Sequence, residues 1–230
     1  MKEFVQFVDK IYCINLDSRK ERWEQAVQEF TRVGIIDSVT RVSAVVADDP
    51  REGCLRSHFN CINEAIDKGY ENILILEDDV GFLPYDWSIL KEAAEFLKGD
   101  TRWDLFYLGG DVMYPAKFVH KHVFKSRFFC THAYVVNRRA YKKILHATVP
   151  IDLWYALNTV SYGIFPLCAT QIETYSDIQQ KQMVDRQLSL NRKYDLLVMP
   201  NIMMRWFNYF KTHYWIRYRS YFRKKKRSAQ

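Results

Sequence analysis

The sequence predicts an α/β protein with a mostly parallel central sheet flanked by helices. Strand-like and helix-like segments alternate along its first half, which is the rhythm of β–α units. The apolar stretch at residues 72–76 (NILIL) is unbroken rather than alternating, so this strand is expected to be buried on both faces, as in a parallel sheet. At 230 residues and 48% hydrophobic, the chain can bury a core of its own as one main domain.

The first strand is expected over residues 7–16 (FVDKIYCINL), with Asp17 and Ser18 as turn and cap residues. Ser18 and Glu21 have capping-box spacing. Behind them Trp23, Ala26, Val27 and Phe30 share a helical face, and Gly34 stands where a left-handed stop is wanted. A short strand follows at 38–42. Leu55, Phe59, Ile62 and Ile66 mark a second helix closed by Gly69, ahead of the buried strand at 72–76. Trp87, Leu90, Ala94 and Leu97 mark a third helix ended by Gly99, and residues 103–108 (WDLFYL) form a strand stopped by Gly109 and Gly110. The second half is less regular. It offers a strand at 128–136, a helix at 138–147 capped by Asn137, and a strand at 162–168.

Charge divides the chain near residue 200. Residues 201–230 hold nine basic side chains and no acidic one, so residues 1–200 carry a formal charge of −2 within a total of +7. On a helical wheel Trp206, Phe207, Phe210, Tyr214, Tyr218 and Tyr221 fall within an arc of roughly 120°. Arg205, Lys211, Arg219 and Arg223 lie outside it, and Arg217 is the exception. The tail therefore reads as a basic amphipathic helix for an anionic membrane surface, or as a stripe that packs on the domain with only its basic end solvated. A nucleic-acid binder using the basic, aromatic tail is a further class, but the near-neutral body without a recognition module gives it no support, so no nucleic-acid partner is expected. The first fifteen residues fit neither a signal peptide nor a membrane span, so a cytoplasmic protein is expected, peripheral on the inner membrane face if the tail binds lipid. Cys13, Cys54, Cys61, Cys130 and Cys168 show no metal spacing and read as reduced, buried thiols.

The 72–76 strand runs directly into Glu77, Asp78 and Asp79. In open α/β sheets ligands bind at the carboxyl ends of strands, and Mg2+ or Mn2+ is held by one or two carboxylates with waters and substrate phosphates. The triplet reads as a cation seat, or as a solvated acidic turn leading into Gly81.

Five stretches in order resemble glycosyltransferase family 25, the lipopolysaccharide sugar transferases and relatives of the collagen galactosyltransferases. They are 11–22 (IYCINLDSRKER), 53–58 (GCLRSH), 75–80 (ILEDDV), 131–136 (THAYVV) and 150–152 (PID), within a resemblance covering roughly residues 9–180. One departure is Arg51, where the family usually carries Glu. The resemblance implies a GT-A-like fold and inverting transfer of a sugar from a nucleotide donor, UDP-galactose by default, to a hydroxyl of a glycan acceptor, with lipid linkage of that acceptor suggested by the tail.

On that footing Asp79 is expected to bind Mn2+ or Mg2+, and strand alternation would put Glu77 beside it with Asp78 on the other side. Asp78 either holds sugar or ribose hydroxyls or is tied to backbone amides. Asn15, Arg19 and Arg22 are donor-binding candidates, the arginines being exposed helix-face charges otherwise. Ser57 and His58, opening the second helix, are further donor-facing candidates, His58 being a satisfied core residue otherwise, and Thr131 is a candidate by motif position. Asp152 is the candidate general base, or else a helix cap; Asp104 and Asp111 stand in reserve. A catalytically silent glycan- or partner-binding member of the same fold is the alternative.

Overall fold

The computed structural model describes residues 1–172 together with the short paired strands Tyr175–Ser176 and Lys181–Gln182, all within the compact unit Met1–Gln187. The boundary expected near residue 200 and the tail at 201–230 lie outside the described residues.

In chain order the elements are α1 (Lys2–Val5), β1 (Lys10–Asn15), α2 (Lys20–Arg32), a 3-10 turn (Ile36–Ser38), β2 (Val39–Ser43), α3 (Pro50–Lys68), β3 (Asn72–Glu77), β4 (Val80–Phe82) and α4 (Trp87–Gly99). They continue with β5 (Leu105–Tyr107), β6 (Asp111–Phe118), β7 (Val123–Phe129), β8 (Ala133–Asn137), α5 (Arg138–Ile144), α6 (Ile151–Asn158), β9 (Ser161–Ile164) and β10 (Ala169–Gln171). The main sheet has the order β2-β1-β3-β8-β5-β9-β7-β6. β2, β1 and β3 are parallel neighbours, as are β5 and β9, while β8 and β7 run against the strands beside them. Six of the eight strands thus share one direction, and the sheet is mostly parallel with helices around it. Ile73, Leu74, Ile75 and Leu76 are all fully buried, as an unbroken aliphatic strand requires.

Several local expectations are corrected. Ser18 does not cap α2: the helix starts after Arg19 and has no side-chain cap bond, because the Arg19 amide closes a turn onto Leu16 O and delays the start. The helix expected from Leu55 begins at Pro50, where proline's missing N–H costs nothing, and Asp49 caps it by accepting from the Arg51 amide. The single strand expected at 128–136 is two strands, broken at Cys130, whose φ of 68° turns the chain. The strand at 162–168 is shorter and earlier, since the chain leaves β9 at Ile164 and turns through a cis Phe165–Pro166 bond. Gly34 and Gly69 do sit at φ +73° and +70° after their helices, and the Asn137 carboxamide does accept the Arg139 amide.

Candidate active site

β1 and β3 are neighbours in register, so Asn15 and Glu77 end the two strands on the same edge of the sheet. β8 runs the other way, and its first residue, Ala133, pairs with Leu76. Thr131 and His132 therefore arrive at that edge too. The segment after β9 also returns there: β10 pairs with β4, and the Ile172 amide donates to Asp79 O at 2.7 Å. Gly109 permits this return, because a Cβ there would lie 2.2 Å from Ala169 O.

The three carboxylates divide differently from the alternation expected of a continuing strand, because β3 ends at Glu77 and Asp78–Asp79 form a turn into β4. Asp78 and Asp79 fall together and Glu77 faces elsewhere. Arg22, at the start of α2, contacts Asp78 Oδ1 and lies 3.0 Å from Asp79 Oδ2. Asn15 donates to Asp78 Oδ2 at 2.6 Å and to Arg19 O at 3.1 Å, while its own Oδ1 accepts from Arg41 at 2.8 Å. Asn15 is thus a buried brace for Asp78, with Arg41 behind it stacked 5.6 Å from the Trp23 ring. Arg19 lies 3.6 Å from Glu21.

Glu77 faces α3. Its Oε1 accepts from the Thr131 hydroxyl at 2.5 Å and stands 3.5 Å from His58 Nε2. His58 is buried, with Nδ1 2.8 Å from the Tyr134 hydroxyl, which is 3.2 Å from the Tyr155 hydroxyl. Ser57 is buried, donating to Gly53 O and accepting from the Val45 amide, and a Cβ on Gly53 would lie 2.5 Å from Val45 O. Gly53 and Ser57 thus clamp α3 against the loop after β2, which fixes where His58 points. The exposed Arg51 pairs with Asp49 at 2.8 Å, and Glu52 with Arg56 at 2.9 Å.

Burial pushes the Asp79 carboxyl up to about 7; the Glu77 charge adds to this and Arg22 opposes it. Burial also works against a charged Glu77, yet the His58 and Thr131 bonds outweigh it and hold Glu77 below the usual carboxylate value. One acid is held toward its charged form and the other is shifted toward its protonated form. Asp79 Oδ1 is buried without a hydrogen-bond partner. An orphaned carboxylate oxygen beside further acids is a hard-oxygen donor set, which fits Mn2+ or Mg2+. Glu77 is turned toward His58 and Thr131 instead, so Asp79 is the better-placed ligand of the two for a cation at this turn.

Asp152 stands in the first turn of α6, part-exposed, its carboxylate accepting from its neighbour's amide on Leu153 at 2.7 Å. Pro150, and not Asp152, occupies the cap position. Asp111 opens β6 opposite Phe129. Asp104 faces none of these groups. It is buried, accepts from the Val160 amide at 2.7 Å, and pairs with Lys143 at 2.8 Å and Arg139 at 3.1 Å, so it ties α5 to the start of β9 and is withdrawn as a reserve base. A surface hollow of about 480 Å³, lined by Met1, Lys2, Arg32, Gly34 and Trp87 among others, includes none of the candidate residues. Reading the sequence missed Arg41 and Tyr134 as supports and the closeness of Cys54 to His58 and Glu77. The i, i+4 spacing of Cys54 and His58 was the available signal.

Residues 48–160 match the family model for glycosyltransferase family 25 (LPS biosynthesis protein). That match covers 113 of the 230 residues, just under half of the chain. Procollagen galactosyltransferase 1 of Danio rerio is 32% identical over 112 residues, covering 44% of this chain and 18% of that protein. Procollagen galactosyltransferase 2 of Mus musculus is 27% identical over 128 residues, covering 44% and 20%. The chain thus spans about a fifth of the length of these relatives. Among solved structures, A197 from STIV aligns with a TM-score of 0.48 at 14% identity, covering 76% of this chain and 92% of that one. A glycosyltransferase involved in glycosylation of the major capsid of PBCV-1 aligns at 0.40 and 15%, covering 64% and 73%. The family 25 match spans α3, β3 with its acidic turn, and α6 with Asp152. Among the described residues no helix is long and apolar enough to cross a membrane.

Proposed function

We propose that this chain is an inverting, metal-dependent glycosyltransferase. It moves a hexose, galactose by default, from a UDP-sugar to a hydroxyl of a glycan acceptor in the synthesis of lipopolysaccharide or another surface glycan. The observation that carries the reading is the buried, partnerless Asp79 Oδ1 in the turn that ends β3, with Arg22 beside it. Mn2+ or Mg2+ held by Asp79 would supply Lewis-acid stabilisation of the negative charge that develops on the leaving diphosphate.

The chain's own groups then have separate tasks. Arg22, a cation 3.0 Å from Asp79, offers a planar fork for phosphate oxygens, with Arg19 close by in sequence. Asn15 and Arg22 fix Asp78, whose carboxylate is held for donor hydroxyls. Thr131 and His58 keep Glu77 charged at the same edge. Asp152 takes the proton from the acceptor hydroxyl as that oxygen attacks the anomeric carbon and the bond to the diphosphate breaks. An acceptor linked to lipid would meet the enzyme at an anionic surface through the basic tail at 201–230, a part of the proposal that rests on sequence.

A panel of nucleotide sugars tested for Mn2+-dependent hydrolysis by the purified protein is the direct test, since slow hydrolysis needs no known acceptor. The reading expects UDP-galactose to be split only with the cation present. Absence of cation-dependent turnover across the panel would contradict it.

A further inference from the structure

Cys54 and His58 stand one helical turn apart on α3, so they share a face, and the end of β3 delivers Glu77 to it. Among the described residues, Cys54 Sγ, a ring nitrogen of His58 and a carboxylate oxygen of Glu77 form the group whose ligand atoms all lie within 4.8 Å of one another. In a tetrahedral zinc site with bonds of about 2.0–2.3 Å, neighbouring ligand atoms stand about 3.3–3.8 Å apart. His58 Nε2 and Glu77 Oε1, at 3.5 Å, already meet that spacing, and the Cys54 thiol lies within 4.8 Å of its partners' ligand atoms.

The surroundings are those of a built site. Tyr134 engages His58 Nδ1 at 2.8 Å and leaves Nε2 toward the cluster, the outer-partner arrangement that orients a ligating imidazole. Thr131 holds Glu77 in the same way. The Gly53–Ser57 clamp fixes the backbone that carries both α3 residues. His58 is buried, whereas Cys54 and Glu77 are part-exposed, which leaves the cluster a path from solvent.

We propose that Cys54, His58 and Glu77 form a binding site for a thiophilic divalent cation of the zinc class, distinct from the oxygen seat at Asp79. A thiolate and an imidazole select zinc over magnesium or manganese, which the carboxylate at Asp79 suits better. Three protein ligands leave a fourth position open to water or a substrate oxygen. All five cysteines are free thiols as expected, but only Cys13, Cys61 and Cys168 are buried, whereas Cys54 and Cys130 are part-exposed.

The test uses the reduced, metal-free full chain titrated with Co2+ as a spectroscopic reporter and with Zn2+ as competitor. A thiolate-to-cobalt charge-transfer band is expected, displaced by Zn2+ and lost in Cys54→Ser. Glu77→Gln, which keeps both thiol and imidazole, should weaken cobalt affinity about tenfold or more. Cys130→Ser and Asp79→Asn should keep the band. No band in the wild-type chain, or a band that survives Cys54→Ser, overturns the proposal. Loss of the band in Asp79→Asn also overturns it, since the ion would then belong to the acidic turn. Mn2+-dependent hydrolysis of nucleotide sugars is read separately, so failure of either proposal leaves the other standing.

Discussion

The Asn15 side-chain amide donates to Asp78 Oδ2 at 2.6 Å, joining the ends of two parallel neighbours, β1 and β3, across 63 residues of chain. Both side chains are buried. The bond turns a sheet edge into a braced site, because Asp78 also meets Arg22 and Arg22 reaches Asp79.

Replacing Asn15 with Ala removes that brace and leaves one buried carboxylate oxygen without its donor. A hydrogen bond to a charged group contributes about 1.5–3 kcal/mol, and that loss is expected in chemical denaturation of Asn15→Ala. Nucleotide-sugar hydrolysis should fall as well, because Asp78 and Arg22 lose their fixed relation. Unchanged stability would show that Asp78 does not depend on the amide.

Asp79 gives the metal-free protein a pH dependence with a defined sign. Its folded-state value is raised from 3.8 to about 7, so between those values the folded state holds a proton that the unfolded chain has released. The contribution is full below 3.8 and is lost as pH rises through about 7. Urea midpoints measured in chelator should show wild type losing stability relative to Asp79→Asn across this window. A difference that stays flat or runs the other way contradicts the assignment.

Asp152→Asn separates base chemistry from helix structure. Loss of a general base is expected to cut transfer about 10²- to 10⁴-fold with donor affinity little changed, read by steady-state kinetics and by UDP titration. Normal turnover in the variant would remove Asp152 from that role.

Asp104→Asn is expected to do the reverse. The buried carboxylate serves Val160, Lys143 and Arg139, so its loss should cost about 2–3 kcal/mol in chemical denaturation while donor hydrolysis by the folded fraction is kept. A catalytic defect with unchanged stability would return Asp104 to the list of candidate bases.

These residues also show how far the sequence could be read. Unbroken aliphatic runs and glycine stops made the sheet and the helix ends legible, as at 72–76, Gly34 and Gly69. Strand order and the site's internal supports were not legible, because they depend on partners far along the chain. The reach of Thr131 to Glu77 exists because β8 runs antiparallel beside β3, and nothing in residues 128–136 announces the turn at Cys130. The separation of Glu77 from Asp79 likewise follows from β3 ending one residue before Asp78, a boundary finer than periodicity resolves. Ser57 looked like a ligand by motif, and only packing shows that Val45 and Gly53 use its hydroxyl.

Calorimetric titration of UDP into the wild-type chain and into Asp79→Asn, each with Mn2+ and with chelator, bears most directly on the cation seat at Asp79. The account predicts tight UDP binding by wild type with Mn2+ alone, and weak, Mn2+-indifferent binding by the variant at both conditions. Equal Mn2+-dependent affinity in the two proteins would contradict it.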